Sequence, residues 1–293
     1  MDEQVFLSKI ESLEKRISAL ERMLDKVNNS TESDQQGGNR EIKTNKEAYN
    51  TFESIRLSTK KIDYVEDLPF EYDRSNGEII IKKYVGFDDQ CDVVVPEIIQ
   101  GAQVVEIGEG VFENCKKLRN VLLPKSIVKI GKQAFKGSGI DHIDLPIGLK
   151  QIGESAFYKS SIEYIRIPPT VEAIANSTFS YTPLKEVIMS NGISSIGDEA
   201  FKGCDNLTKV DIPFGVTFIG LCAFWVMYRK KSLHIRIPES VVSIKGSKNM
   251  FISDDRFSDK ITVYCRPGSE AMQFARKNSM LVKRYEEFDQ LDA

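Results

Sequence analysis

Histidine is scarce in this sequence, tryptophan scarcer, and long apolar runs are missing altogether. The 293 residues hold two histidines, His142 and His234, and one tryptophan, Trp225. So few imidazoles leave little room for His-based acid–base, nucleophilic or metal chemistry. The five cysteines, Cys91, Cys115, Cys204, Cys222 and Cys265, stand far apart with no C-x-x-C pair. That spacing fits neither a zinc site nor a dense disulfide framework, so free thiols are expected. The longest apolar stretches fall far short of the ~20 residues that cross a bilayer, and no membrane insertion is expected. A formal net charge of -3 offers no basic excess for neutralising phosphates, which argues against nucleic acid as a partner. No carboxylate pair, nucleophile elbow, phosphate loop or metal-ligand pattern is visible. The inventory points to a non-enzymatic protein without cofactor or metal. The first residues, MDEQVFLSKIESLEKR, lack the basic segment and continuous apolar core of a secretory signal. They suggest a cytoplasmic chain, with the cell surface or secretion as the alternative if a leader is missing.

What the sequence does contain falls into three kinds of segment. In residues 1–28, Phe6, Ile10, Leu13, Ile17, Leu20, Leu24 and Val27 recur at alternating steps of four and three, the period that keeps one helical seam against a partner helix. Ile10, Ile17 and Leu24 take position a; Leu13 and Leu20 take position d, the arrangement that favours a parallel pair. Lys9 and Arg16 at g would face Glu14 and Glu21 at e of the neighbouring chain. This stem is read as a coiled coil that joins copies of the chain into a homo-oligomer. Residues 29–69 follow as a linker. Its first part, up to Lys46, has one aliphatic residue and no aromatic, too little apolar surface to offset the entropy of ordering; residues 48–67 show no clean period.

From Phe70 onward a short phrase returns. IGKQAFKGSGIDHIDLP at residue 130, IGESAFYKSSIEYIRIP at 152 and IGDEAFKGCDNLTKVDIP at 196 are variants of one unit. Ile107, Ile130, Ile152, Ile174, Ile196 and Ile219 are spaced 23, 22, 22, 22 and 23 residues apart. Phe112, Phe135, Phe157, Phe179, Phe201 and Phe224 keep the same steps. Units this small cannot bury their own apolar faces and do so by stacking on their neighbours, which makes a solenoid. Within a unit, Ile140, Ile143 and Leu145 form the L-x-x-L-x-L signature of a leucine-rich repeat strand. Ile143 and Leu145 share one face of that strand and Asp144 takes the other. The fold class is therefore a leucine-rich repeat solenoid of the β/α type, right-handed, with short parallel strands and 22–23-residue units. Stacked at ~4.8 Å per rung, the phenylalanines should form a continuous aromatic spine. Proline ends most strands, at Pro124, Pro146, Pro168, Pro213 and Pro238, with Ser190 in the remaining unit. The glycine after the repeat isoleucines, replaced by Ala175 after Ile174, implies either a positive φ or close packing.

The combined pattern, I-x-I-P, then V/L-x-x-I-G, then A-F and a small residue three positions on, resembles the BspA-like leucine-rich repeat family. EYDRSNGEIIIKKYVG is similar to the family's capping hairpin, and ITVYCRPGSEAMQFARKNSMLVKRY resembles its C-terminal cap, with Ser269 as the N-cap of a short helix. The resemblance divides the chain into an N-terminal cap with first strand (70–105), repeats (106–260) and a C-terminal cap of strand, short helix and strand (261–293). It implies binding of proteins or surfaces. Family members with known roles are usually exported.

The outward strand face then carries the candidate site. One column runs Asn120, His142, Tyr164, Glu186, Lys209 and His234; the next runs Leu122, Asp144, Arg166, Ile188, Asp211 and Arg236. His142 and His234, four rungs or ~20 Å apart, cannot share a metal. A solvated sheet with cross-strand pairs such as Asp144 to Arg166 is the plain alternative. The sixth unit lengthens around Trp225, Tyr228, Arg229, Lys230 and Lys231, and Trp, Tyr and Arg are residue types enriched at interface hot spots. Trp225 could equally fill a gap left by the longer loop. The expected function is protein–protein interaction through this face or loop; adhesion or carbohydrate binding by an exported protein is the alternative.

Overall fold

The computed structural model describes residues 68–86, 92–226, 231–246 and 261–292. The predicted stem residues Ile10, Leu13, Ile17, Leu20 and Leu24, the linker up to residue 67, and Tyr228 lie outside the described residues.

A hairpin starts the solenoid. Strands Phe70–Ser75 and Glu78–Tyr84 pair antiparallel, joined by Asn76 and Gly77 at φ 53° and 81°, the tight turn that two positive-φ residues favour. The second strand then pairs parallel with Ala102–Ile107, and from there the chain coils. The repeat isoleucines lie in register. Ile81 pairs with Ile107, Ile107 with Ile130 and Ile130 with Ile152. After one interruption Ile174, Ile196, Ile219 and Ile244 continue the line. Because the other face of most turns carries the I-x-I-P strand, reduced to a single bridge at His142 in one unit, the typical unit contributes two short strands rather than one.

The expectation of a β/α unit is corrected by this second ladder. Opposite the I-x-I-P strands the described repeats hold two-residue strands and tight turns, and among the described residues the α-helix is the cap helix Glu270–Lys277. A third ladder fills the corner around each phenylalanine. The residue two before the ring, the ring residue and the residue two after it each donate an N–H to a carbonyl of the next rung. This runs from Gly110→Lys132, Phe112→Ala134 and Asn114→Lys136 to Glu199→Leu221, Phe201→Ala223 and Gly203→Trp225, at 2.6–3.0 Å throughout. The flanking residues adopt positive φ whether or not they are glycine: Gln133, Ser155, Ser177, Glu199 and Cys222 on one side, Asn114, Lys159 and Tyr181 on the other, at 55–61°. The conformation turns all three donors the same way, and the ladder offsets its cost of ~1–2 kcal/mol per residue.

The aromatic spine is continuous. Successive rings from Phe112 to Phe224 stack with centroids 5.1, 5.2, 5.4, 5.5 and 5.3 Å apart and planes within 11° of parallel. Tyr84 extends it into the hairpin, 5.3 Å from Phe112. The glycines after the isoleucines serve close packing: a Cβ on Gly131 would stand 2.6 Å from the Gly108 carbonyl carbon, and one on Gly153 2.6 Å from that of Gly131. Ala175 occupies this position in the fourth unit, and there the isoleucine ladder breaks between Gln151–Ile152 and Ala173–Ile174. Ser190, at a proline position, donates its hydroxyl to the Ile167 carbonyl at 2.7 Å. Beyond the repeats come strand Ile261–Cys265, helix Glu270–Lys277, strand Leu281–Arg284 and a 3-10 helix, Tyr285–Asp292. The Ser269 hydroxyl accepts from Met272 N–H at the helix start.

Candidate protein-interaction face

The I-x-I-P strands bury alternate residues, so the intervening ones form the outward columns. In strand Tyr164–Ile167, Ile165 and Ile167 are buried while Tyr164 and Arg166 are exposed. Pairing fixes the register between rungs: Asn120 opposite His142, Tyr164 opposite Glu186 and Arg166 opposite Ile188, Lys209 opposite His234 and Asp211 opposite Arg236. The predicted columns therefore exist as lines of side chains, though not on one sheet. Tyr164–Ile167 pairs with Glu186–Met189 alone, and Lys209–Asp211 begins a separate sheet that continues through Leu233–Arg236, Ile261–Cys265 and Leu281–Arg284. Where those two sheets meet lies a slot of about 520 Å³, lined among others by Glu186, Ile188, Asn191, Thr208, Lys209 and Asp211.

North of the slot the face is open. Tyr164 is 50% exposed and Ile188 38%. Lys185 sits 5.6 Å from the Tyr164 ring and is ion-paired to Glu163 at 2.5 Å. His142 Nε2 lies 3.5 Å from Asp144 Oδ1. Hydrogen bonding to Asp144 raises the imidazole pKa, against partial desolvation, and lowers that of the carboxylate. Asp144 thus partners its own strand, and the cross-strand pair of the two columns forms at Asp211–Arg236 instead of Asp144–Arg166.

South of the slot the face is covered by the chain itself, which changes the reading of Arg236. Its guanidinium takes both Asp211 oxygens and, through Nη1, Asp289 Oδ1 at 2.8 Å. The side chain is only 16% exposed. It lies 4.8 Å from the Phe288 ring and 5.1 Å from that of Tyr285. The Asp211 hydrogen bond holds its pKa above the ordinary guanidinium value. His234 Nδ1 and the Tyr264 hydroxyl are 3.0 Å apart; burial, then Lys283 and Lys209, push the imidazole pKa down. Trp225 is half-buried at the corner, its carbonyl in the turn ladder and its ring 5.3 Å from Lys202 Nζ.

Two features of this surface escaped the residue pattern. One is a corner row in which Lys159 stands 5.3 Å from the Tyr158 ring and 5.8 Å from that of Tyr181, while Tyr158 and Tyr181 meet edge-on at 5.7 Å. The other is the docking of Tyr285, Phe288 and Asp289; the acidic-aromatic run YEEFDQLD was the available signal.

Comparison with known proteins agrees with the repeat geometry. Residues 105–230 match the family described as BspA type leucine rich repeat region, in six copies. No curated protein matches the chain by sequence. Among solved structures, the chain is similar to a leucine rich cell surface protein from Faecalibacterium prausnitzii A2-165, at 18% identity and TM-score 0.45, over 75% of this chain and 93% of that one. It is also similar to the T. pallidum leucine rich repeat protein, at 22% identity and TM-score 0.42, over 73% and 95% of the two chains. The pneumococcal vaccine antigen PcpA gives 19% identity and TM-score 0.49, over 70% and 65%.

Proposed function

We propose that this protein is a non-enzymatic interaction scaffold whose outward strand face, from Asn120 to Asp211, engages another protein, with copies joined through residues 6–27. The observation that carries this reading is the exposed part of the face itself. Tyr164, Arg166, Glu186 and Ile188 stand outward on two paired strands, immediately beside the slot that contains Glu186, Ile188, Lys209 and Asp211. A rigid ladder has little backbone freedom to lose on binding, and Tyr and Arg are among the types that dominate interface energetics. Linking several such faces through the stem would raise avidity without new contacts.

The test is affinity capture with the full chain beside a Tyr164→Ala/Arg166→Ala double variant of unchanged circular dichroism. The reading expects proteins captured by the wild type and lost with the variant. An identical captured set from both chains would reject this face as the binding site.

A further inference from the structure

The C-terminal 3-10 helix, Tyr285–Asp292, is added after the last strand of the ladder and contributes no strand of its own. It lies across the outward columns, at positions whose counterparts in earlier rungs, such as Tyr164, face solvent. Its single buried anchor is Phe288, 2% exposed, while Glu286, Asp289 and Gln290 stay exposed. The anchor is held by contacts typical of recognition rather than of an aliphatic core. Lys209 Nζ and the Arg236 guanidinium lie 4.9 and 4.8 Å from its ring, and Tyr264 meets it edge-on at 5.3 Å. Asp289 adds the carboxylate on Arg236 at 2.8 Å.

Charge follows the same division. The segment YEEFDQLD has four acidic residues and no basic one. The surface beneath and around it presents Lys209, Arg236, Arg266 and Lys283; Lys209 and Lys283 are the cations that depress His234, and Arg266 lies 5.6 Å from the Tyr285 ring. Asp211, already bound to Arg236, and Glu239, 3.4 Å from Arg266, are counter-charges within the set. Lys209 and Asp211 also line the open slot, so the covered surface adjoins the slot and together they are taken as one groove.

We infer that residues 285–292 are a tethered occupant of this groove, which also takes, in trans, an acidic partner segment carrying a phenylalanine followed by an aspartate. The inference rests on the strand face being the binding face, and it names the partner's chemistry and its competitor. A tether of this kind holds its segment at an effective concentration in the millimolar range. Weak intrinsic contacts then suffice to keep the groove filled. An incoming segment displaces the tail by exceeding that effective concentration, or at lower concentration by adding contacts the tail lacks, and the neighbouring slot offers them.

The experiment uses full-length chains and a fluorescein-labelled peptide of residues 284–292, RYEEFDQLD, read by anisotropy. A Phe288→Ala/Asp289→Ala chain, its own tail released, should bind the peptide at least ~10-fold more tightly than the wild type, the direction that loss of an intramolecular competitor requires. Adding Arg236→Met to the released chain should remove that gain. A released chain that keeps its circular dichroism and binds no more tightly than wild type overturns the inference. Should the released chain misfold, hydrogen exchange in the wild type decides. Excess unlabelled peptide should speed exchange at residues 285–292, and unchanged exchange up to the peptide's solubility limit overturns the inference. Either result is independent of the Tyr164/Arg166 capture, which tests the strand face north of the slot.

Discussion

Truncating one ring of the aromatic spine tests the whole architecture. Phe157 is fully buried and stacked on both sides, 5.2 Å from Phe135 and 5.4 Å from Phe179. Its backbone N–H also donates to the Thr178 carbonyl at 2.9 Å, a bond that alanine preserves. Phe157→Ala therefore removes side-chain packing and leaves the turn ladder in place. Core Phe→Ala changes cost about 3–5 kcal/mol; two lost ring contacts, each ~0.5–1.5 kcal/mol beyond area burial, place this site in the upper half of that range. At roughly 2–4 °C per kcal/mol for a unit of this size, the melting temperature should fall by about 8–20 °C. Phe214→Ala is the matched control: that ring is 65% exposed and its loss should stay within about 0.5 kcal/mol. Thermal melts followed by circular dichroism, with urea titrations to check the slope, distinguish the two. If Phe157→Ala melts within about 2 °C of wild type, the spine does not hold the rungs together.

Gly131→Ala places a methyl against the Gly108 carbonyl carbon at 2.6 Å. It should cost about 1–3 kcal/mol in the same melts, and a neutral result would contradict the close stacking. The two histidines should titrate in opposite directions from the ordinary value of ~6.5, His142 above it and His234 below. His142 then contributes stability that is full below ~6.5 and fades as pH rises through its folded pKa, whereas His234 costs stability as pH falls below ~6.5 towards its own. Proton NMR with His142→Gln for assignment reads the order, and a reversed order would discard the Asp144 and burial arguments. Leu13→Lys/Leu20→Lys should convert an oligomer into a folded monomer by light scattering, because charges at d positions destroy the seam; an unchanged mass would remove the stem as the joining element.

The parts legible in the sequence were those in which one residue type recurs for one physical reason. Phenylalanine at a fixed step can only be a stacked core, and the alternation Tyr164-Ile165-Arg166-Ile167 can only be a half-buried strand. The isoleucine ladder was hidden because its strands, such as Lys129–Ile130 and Gln151–Ile152, are two residues long and leave no alternation to count. Of the two readings left open for the repeat glycines, close packing holds, and positive φ lies elsewhere for a related reason. Glycine advertises it, but Gln133, Ser155, Lys159 and Glu199 adopt it under the constraint of the neighbouring rungs. The fate of Arg236 could not be read at all, since it depends on Phe288 and Asp289 returning from more than fifty positions away, a contact with no period.

The three ladders differ in continuity, and that difference bears on function. The isoleucine ladder breaks at Ala175, and the strand face breaks before Tyr164–Ile167 and again between Glu186–Met189 and Lys209–Asp211, yet none of these breaks interrupts the solenoid. The turn ladder and the phenylalanine stack run through all of them. Cohesion between rungs therefore resides at the corner, in rings and backbone that do not face a partner. The strand face is relieved of part of its structural task, so it can open a slot and vary its outward residues rung by rung without unstacking the coil. A solenoid whose only inter-rung bonds lay on that face could not interrupt them at Met189 and keep Lys209 in line.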